Sequence, residues 1–255
     1  MKSQHTLGAL QDLRSAAGDA IPVVCCQNGV ANERMALRRF LHVYAMVVML
    51  PASHMEPGVV LAESKATTGI LDASVYPHGS DPTIKAITGA LNASQFSAVL
   101  DPRVMRQKYA KLLMNLNNGL QAACGDKDTR DIARMARDEA RACYEAAGID
   151  CATDQEFTDR RGNHIQVAPI KGHQRSGSST WQSLSRGTGD IEVDYLNGEI
   201  ALLGRLHAVP TPANIAIQEA ANRVVRERLA PGSIPAAALH ARIAELSIRI
   251  ANRES

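Results

Sequence analysis

The pattern of apolar residues changes at Asp101-Pro102, and that change bounds what this chain can fold into. Before it, short apolar runs are cut by glycine and proline: IPVVCC (21–26), VYAMVVML (43–50), VVLAES (59–64) and TGILDASVYP (68–77). Runs of this length, rich in valine and bounded by turn residues, read as strands. IPVVCC is apolar along its whole length, as a parallel strand covered on both faces is. Helices are expected at 5–18, 31–41 and 81–92. In the first, Leu7, Leu10 and Leu13 recur every three residues, and Gly18 can supply a left-handed C-terminal cap. FSAVL (96–100) closes this part. Residues 1–101 are therefore expected to form an α/β domain with a sheet of mixed direction.

Beyond Pro102 the helical period dominates. Helices are expected at 103–124, 127–147, 153–160, 178–184, 189–208, 211–229 and 235–252, punctuated by Gly148, Gly162, Pro169, Gly172 and Pro210. Pro212 suits a first helical turn, where its missing N–H would be unpaired anyway. RRGNHIQVAPIKGHQRSGSS (160–179) is polar and glycine-rich and reads as a connection. Residues 102–255 are thus expected to form a second, all-α domain.

Composition excludes several classes of function. The 255 residues carry a formal net charge of +2, so nothing electrostatic draws the chain to nucleic acid or an anionic membrane. Aromatic residues make up 4%, too few for base-stacking platforms. No apolar run reaches the ~18–20 residues that span a bilayer, and the N-terminus lacks a signal-peptide core. The five cysteines are odd in number, and Cys25 and Cys26 are adjacent. Reduced thiols in a cytoplasmic protein fit this better than disulfides or zinc, and Cys25 and Cys26 read as small buried apolar residues. The eight histidines show no metal-ligand spacing.

Two polar segments interrupt the helical half. In KYAKLLMNLNNGL (108–120), Lys111, Asn115 and Asn118 stand at i, i+4 and i+7, one narrow stripe of a helix. That stripe is either a solvated face or a site. A lysine flanked by amides can bind a carboxylate and give a proton to a developing alkoxide. In SSTWQSLSRGTGDIEVDYLNGEI (178–200), Ser178 and Ser179 precede a flexible turn, and Glu192 and Asp194 stand near a helix start. Helix capping explains these residues as well as chemistry does.

Taken together, these segments resemble the ketopantoate reductase family. The family pattern is K-x-x-x-N opening an all-α domain, then S-S-x-x-x-D/S, then E-x-D-x-L/I-N-G. Here it is matched by KLLMN (111–115), SSTWQS (178–183) and EVDYLNG (192–198). Upstream, Gln27-Asn28-Gly29 resembles the family's asparagine-glycine turn beside the nicotinamide, and Lys2 its lysine after the fourth strand of the dinucleotide-binding fold. The resemblance covers nearly the whole chain.

The resemblance implies a truncated Rossmann-like domain followed by an all-helical one, and NADPH-dependent reduction of a 2-oxo acid, ketopantoate or a relative. It implies that Lys111 is the general acid, with Glu192 orienting it or holding the cofactor. Asn115, Asn118, Ser179 and Asn28 would bind substrate, and Asn28, Lys2 and Ser53 the cofactor. A homodimer is compatible with it. Ser176 stands where the family often has asparagine, and the interval from Ser179 to Glu192 is one residue longer than usual, so the acid reduced is open. About 70 residues bearing the glycine-rich G-x-G-x-x-G turn have no counterpart. A truncated reading frame, a misassigned start or a gene fragment is therefore expected. The alternative is a non-catalytic remnant that serves only as a helical dimerisation or interaction domain.

Overall fold

A computed structural model describes residues 1–125, 127–172 and 191–254. The expected helix at 178–184, with Ser176, Ser179 and Trp181, lies outside the described residues. The described chain divides into two compact units, and the division falls after Leu112 and again after Asp150. The first unit holds Met1–Leu112 and the chain from Cys151 to 172. The second holds Leu113–Asp150 and residues 191–254.

The first unit is α/β. Helix α1 (Thr6–Ala17) leads to strand β1 (Pro22–Cys25), α2 (Asn32–Leu37) and β2 (His42–Met49). Strands β3 (Ala52–Glu56) and β4 (Val59–Ala62) form a hairpin, followed by β5 (Ile70–Val75) and α3 (Pro82–Ala93). The main sheet runs β1-β2-β5, with β1 parallel and β5 antiparallel to β2, a mixed sheet as the sequence suggests. The run 96–100 lies parallel to β5 without becoming a continuous strand, bridging only at Ser97 and Leu100. Its middle residue is diverted: Asn92 takes both the N–H and the C=O of Ala98, at 2.9 and 2.7 Å. Side-chain amides compete with a ladder in this way.

Four expectations change in detail. Strand β3 was not anticipated, because ASHME carries no apolar alternation; the turn at Pro57-Gly58, with Gly58 at φ +81°, folds it back on β4. Helix α2 ends at Leu37, not at 41, because the chain turns there to bury Phe40 and enter β2. Gly18 has φ +74° but ψ −163°, so it ends α1 with positive φ outside the left-handed helical region. Cys25 is buried as expected, but Cys26, the first residue past the end of β1, is exposed.

Helix α3 starts where its cap dictates. Asp81 accepts from the Ile84 N–H at 2.8 Å and from the Tyr44 hydroxyl at 2.7 Å, and Pro82 fills the first position. Helix α6 (Asp154–Arg161) belongs to the same unit and opens on a reciprocal Thr153–Glu156 capping box. From it Arg160 makes a bidentate pair with buried Asp72 of β5, both bonds 2.6 Å. Helix α4 (Val104–Cys124) contributes Val104 and Ala110 to a core with Ala45, Val47, Met49 and Ile70.

The second unit is all-α. It comprises α4 from Leu113 on, α5 (Arg130–Ala146), α7 (Asn197–His207), α8 (Pro212–Arg226) and α9 (Ala236–Glu254). Its core joins Leu120 and Ala123 of α4, Ile132 and Ala136 of α5, Ile217 and Val224 of α8, and Leu239 and Ile243 of α9. Gly119 lets the helices close up: a Cβ there would stand 2.9 Å from Asn197 Oδ1 and from Val193 Cγ2. The fully buried Asn197 and Asn214 are bonded at 3.1 Å, and Asn197 also donates to Leu116 O. Glu139 caps the start of α8 through the N–H groups of Ala213 and Asn214; burial pushes its carboxyl up, against these bonds. The single helix expected over 189–208 is instead a 3-10 turn, Val193–Tyr195, followed by α7. The non-helical backbone of Leu196 (φ −115°, ψ −86°) separates them. Asp194 therefore caps no helix; it accepts from Gln218 and Asn222 of α8, each at 2.8 Å.

Candidate active site

The polar centre of the first unit lies where β1 stops. Strand β1 pairs with β2 only as far as Ala45, whereas β2 runs on to Met49. Past its end the chain makes the turn Gln27-Asn28-Gly29, with Gly29 buried at φ +76°, a conformation that favours glycine. Helix α4 brings two lysines to this place, Lys108 and Lys111, one turn apart on the same face. The Lys111 ammonium donates to Asn28 Oδ1 at 2.8 Å and to the carbonyl of Val48. The Lys108 ammonium donates to Gln27 O at 3.1 Å and Met46 O at 3.2 Å, and pairs with Glu33 at 2.6 Å. Lys108 is 3% exposed and Glu33 0%, so this ion pair is out of water; Lys111 is half-buried.

The turn is held from its other side as well. Asn32 Nδ2 and Ser3 Oγ both donate to Asn28 O, at 3.1 and 3.3 Å, and Asn32 Oδ1 accepts from Thr6 at 2.7 Å. Ser3, Thr6 and Asn32 are all buried. A small pocket opens between the turn, β2 and the two lysines. One of its groups has no protein partner: Gln27 Oε1 is buried and accepts no hydrogen bond among the described residues.

Of the residues singled out in the sequence, Lys111 and Asn28 are thus brought into contact. Lys2 is partly exposed and immediately precedes Ser3 of the network that holds Asn28 O. Ser53 lies in the β3–β4 hairpin, 3% exposed, with its hydroxyl donated to Glu63. Asn115, Asn118 and Glu192 belong to the second unit. Asn115 and Asn118 are half-buried, and Asn115 Nδ2 is a buried donor with no acceptor among the described residues. Glu192 is 6% exposed and precedes the 3-10 turn. Among the described residues no group of three or more His, Cys, Asp or Glu could hold a metal ion, and no helix is long and apolar enough to cross a membrane.

Sequence reasoning missed Lys108 and Glu33. The signal for Lys108 was present, since it stands three residues before Lys111 on the same helical face. Glu33 gave none: a carboxylate in a first helical turn reads as a solvated partner of the helix dipole, and here it is wholly buried.

Two family models match the chain. One, described as ketopantoate reductase PanE/ApbA, covers residues 1–73; the other, the C-terminal part of the same family, covers 103–225. Among solved structures, a PanE/ApbA family ketopantoate reductase from Ralstonia eutropha JMP134 is similar at 24% identity and a TM-score of 0.71, over 90% of this chain and 74% of that one. A D-mandelate dehydrogenase in complex with NADH is similar at 20% identity and a TM-score of 0.72, over 89% and 77%. A dimeric ketopantoate reductase from Staphylococcus aureus is similar at 18% identity and a TM-score of 0.67, over 90% and 76%. At these identities the structures establish the fold.

Proposed function

Because the chain belongs to the ketopantoate reductase family, we propose that it reduces a 2-oxo acid, ketopantoate or a close relative, at the expense of NADPH. The observation that carries this reading is the contact of Lys111 with Asn28 at the end of β1. An ammonium held by a neutral amide keeps its proton available for a developing alkoxide, and the amide fixes its direction. Gln27 lines the same small pocket, and its buried Oε1 has no hydrogen-bond partner among the described residues, which supports a polar group joining this turn. Asn28 and its turn would hold the nicotinamide end of a dinucleotide. The pyrophosphate end is ordinarily held by a glycine-rich turn, and no G-x-G-x-x-G occurs in this sequence.

NADPH, when bound, supplies the hydride that reaches the carbonyl carbon. Lys111 transfers its Nζ proton to the carbonyl oxygen, so the 2-oxo acid becomes a 2-hydroxy acid, and Lys111 then regains a proton from solvent. Asn28 aims the ammonium and borders both ligands. The orphaned Nδ2 of Asn115 donates to the substrate, with Asn118, Ser176 and Ser179 completing its binding. Ser179 takes the carboxylate. Glu192 would orient the lysine or help hold the cofactor, and Lys2 and Ser53 would help hold the cofactor.

The test is consumption of NADPH with ketopantoate and a panel of 2-oxo acids, comparing the native chain with Lys111→Ala. Turnover is expected to fall by ~10²–10⁴ while the far-ultraviolet circular dichroism is unchanged. Equal turnover in Lys111→Ala would refute the role of the lysine.

A further inference from the structure

The buried Lys108–Glu33 pair calls for an explanation that stability does not supply. Taking two charges out of water costs several kcal/mol per ion, and apolar residues of the same volume often stabilise a fold better. What the pair adds is direction. Lys108 Nζ donates to two backbone acceptors, Gln27 O and Met46 O, and stands 2.6 Å from Glu33 Oε1 as an ion pair. An aliphatic side chain at 108 would fill the space and leave both carbonyls without that donor.

Those carbonyls matter because of where they stand. Gln27 O lies at the peptide just before Asn28, and Asn28 O, at the peptide just after it, is held by Asn32 and Ser3. The backbone on both sides of Asn28 is therefore tied down, and Asn28 Oδ1 is left aimed at Lys111 Nζ. On β2, Met46 O and Val48 O are two residues apart, beyond the last residue paired with β1. Carbonyls two residues apart on a strand point the same way, and lysines three apart on a helix share a face. Lys108 and Lys111 therefore dock α4 on β2 in one register, where the β1 ladder has run out.

We infer that Lys108 and Glu33 are positioning residues: their ion pair braces the Gln27-Asn28 turn and the end of β2 so that Lys111 Nζ and Asn28 Oδ1 stay aligned. As a role in catalysis this rests on the reading of the site proposed above. As a statement about geometry it is testable without substrate or cofactor.

The test is amine labelling of the purified 255-residue chain, with Lys111 quantified against the exposed Lys127 by peptide mass spectrometry. The variants are Lys108→Met and the neutral double variant Glu33→Gln/Lys108→Met. The double variant is expected to stay folded, because it leaves no buried charge unpaired. In it the Lys111-to-Lys127 labelling ratio is expected to rise about tenfold, as Lys111 is released from its partners. A merely structural pair would move the melting temperature and leave that ratio unchanged. An unchanged ratio in the folded double variant overturns the inference. Lys108→Met leaves Glu33 buried and unpaired; should it fail to fold, the double variant still decides. With 2-oxo acid turnover as a second readout, the double variant should lose about a hundredfold in kcat at unchanged KM. Absence of turnover in the native chain would contradict the proposed function alone, with the labelling ratio still judging the brace.

Discussion

Asn28 Oδ1 accepts a hydrogen bond of 2.8 Å from Lys111 Nζ across 83 residues of sequence. The contact needs three things at once: a strand that stops at Cys25, a buried glycine after the asparagine, and a helix docked in one register. Replacing Asn28 by alanine removes the side-chain acceptor of the Lys111 ammonium. Asn28→Ala should fold and should lose ~10²-fold in turnover. Asn28→Asp places a carboxylate against the ammonium and favours its charged form, so the high-pH limb of the rate profile should move to higher pH. A limb that stays in place, or moves down, would show that the two side chains do not interact in the working enzyme.

The asparagine pair of the second unit should be costly to break. Asn214 accepts from Asn197 and donates to Ala136 O at 2.9 Å and to Glu139 at 2.8 Å, with no exposure to water. Asn214→Ala removes three side-chain hydrogen bonds and leaves one hydrogen of Asn197 Nδ2 without its partner. It should lower the stability of the chain by about 2–4 kcal/mol, read from urea unfolding. A loss below about 0.5 kcal/mol, the level of an ordinary surface change, would mean that the pair is dispensable.

Glu156 provides a test of charge with a definite sign. The Arg106 guanidinium, with bonds of 2.9 and 3.1 Å, and the Thr153 cap hold its carboxyl well below the ordinary 4.5, at about 2. A carboxyl lowered in the folded state contributes stability above its unfolded value and loses it as the pH falls through the folded value. Glu156→Gln keeps the capping geometry and removes the charge. The melting temperature of the native chain should therefore exceed that of Glu156→Gln above pH 4.5, and the gap should close as the pH falls towards about 2. A gap independent of pH would assign the effect to the cap rather than to the charge.

The thiols should label in a fixed order. Burial pushes Cys25 up to about 12 and Cys124 and Cys143 up to about 11, and all three side chains are enclosed. Cys26 is exposed and Cys151 partly so. Iodoacetamide at neutral pH should modify Cys26 and Cys151 in the folded chain, and the other three only on unfolding. Early labelling of Cys25 would mean that β1 does not hold its place in the sheet.

How much of this was legible in the sequence depended on the range of the interactions involved. The main strands β1, β2 and β5 and the long helices α4, α5, α8 and α9 follow from local periodicity, which a single segment carries within itself. Strand β3 did not, because its five residues lack alternation and are held by the partner across the Pro57-Gly58 turn. Nor did the break at Leu196, which no glycine or proline marks. At the site, Lys111 stands out in its stripe with Asn115 and Asn118, and Asn28 through the resemblance, whereas Glu33 was invisible. Its burial is decided by a lysine 75 positions away, so no local pattern records it.

The measurement that bears most directly on the central claim is a titration of the 255-residue chain with NADPH, followed by the fluorescence of the cofactor. The account predicts saturable binding in the micromolar range, weakened about tenfold or more in Asn28→Ala. A folded native chain that shows no saturation would contradict the claim that the Gln27-Asn28-Gly29 turn forms part of a cofactor site.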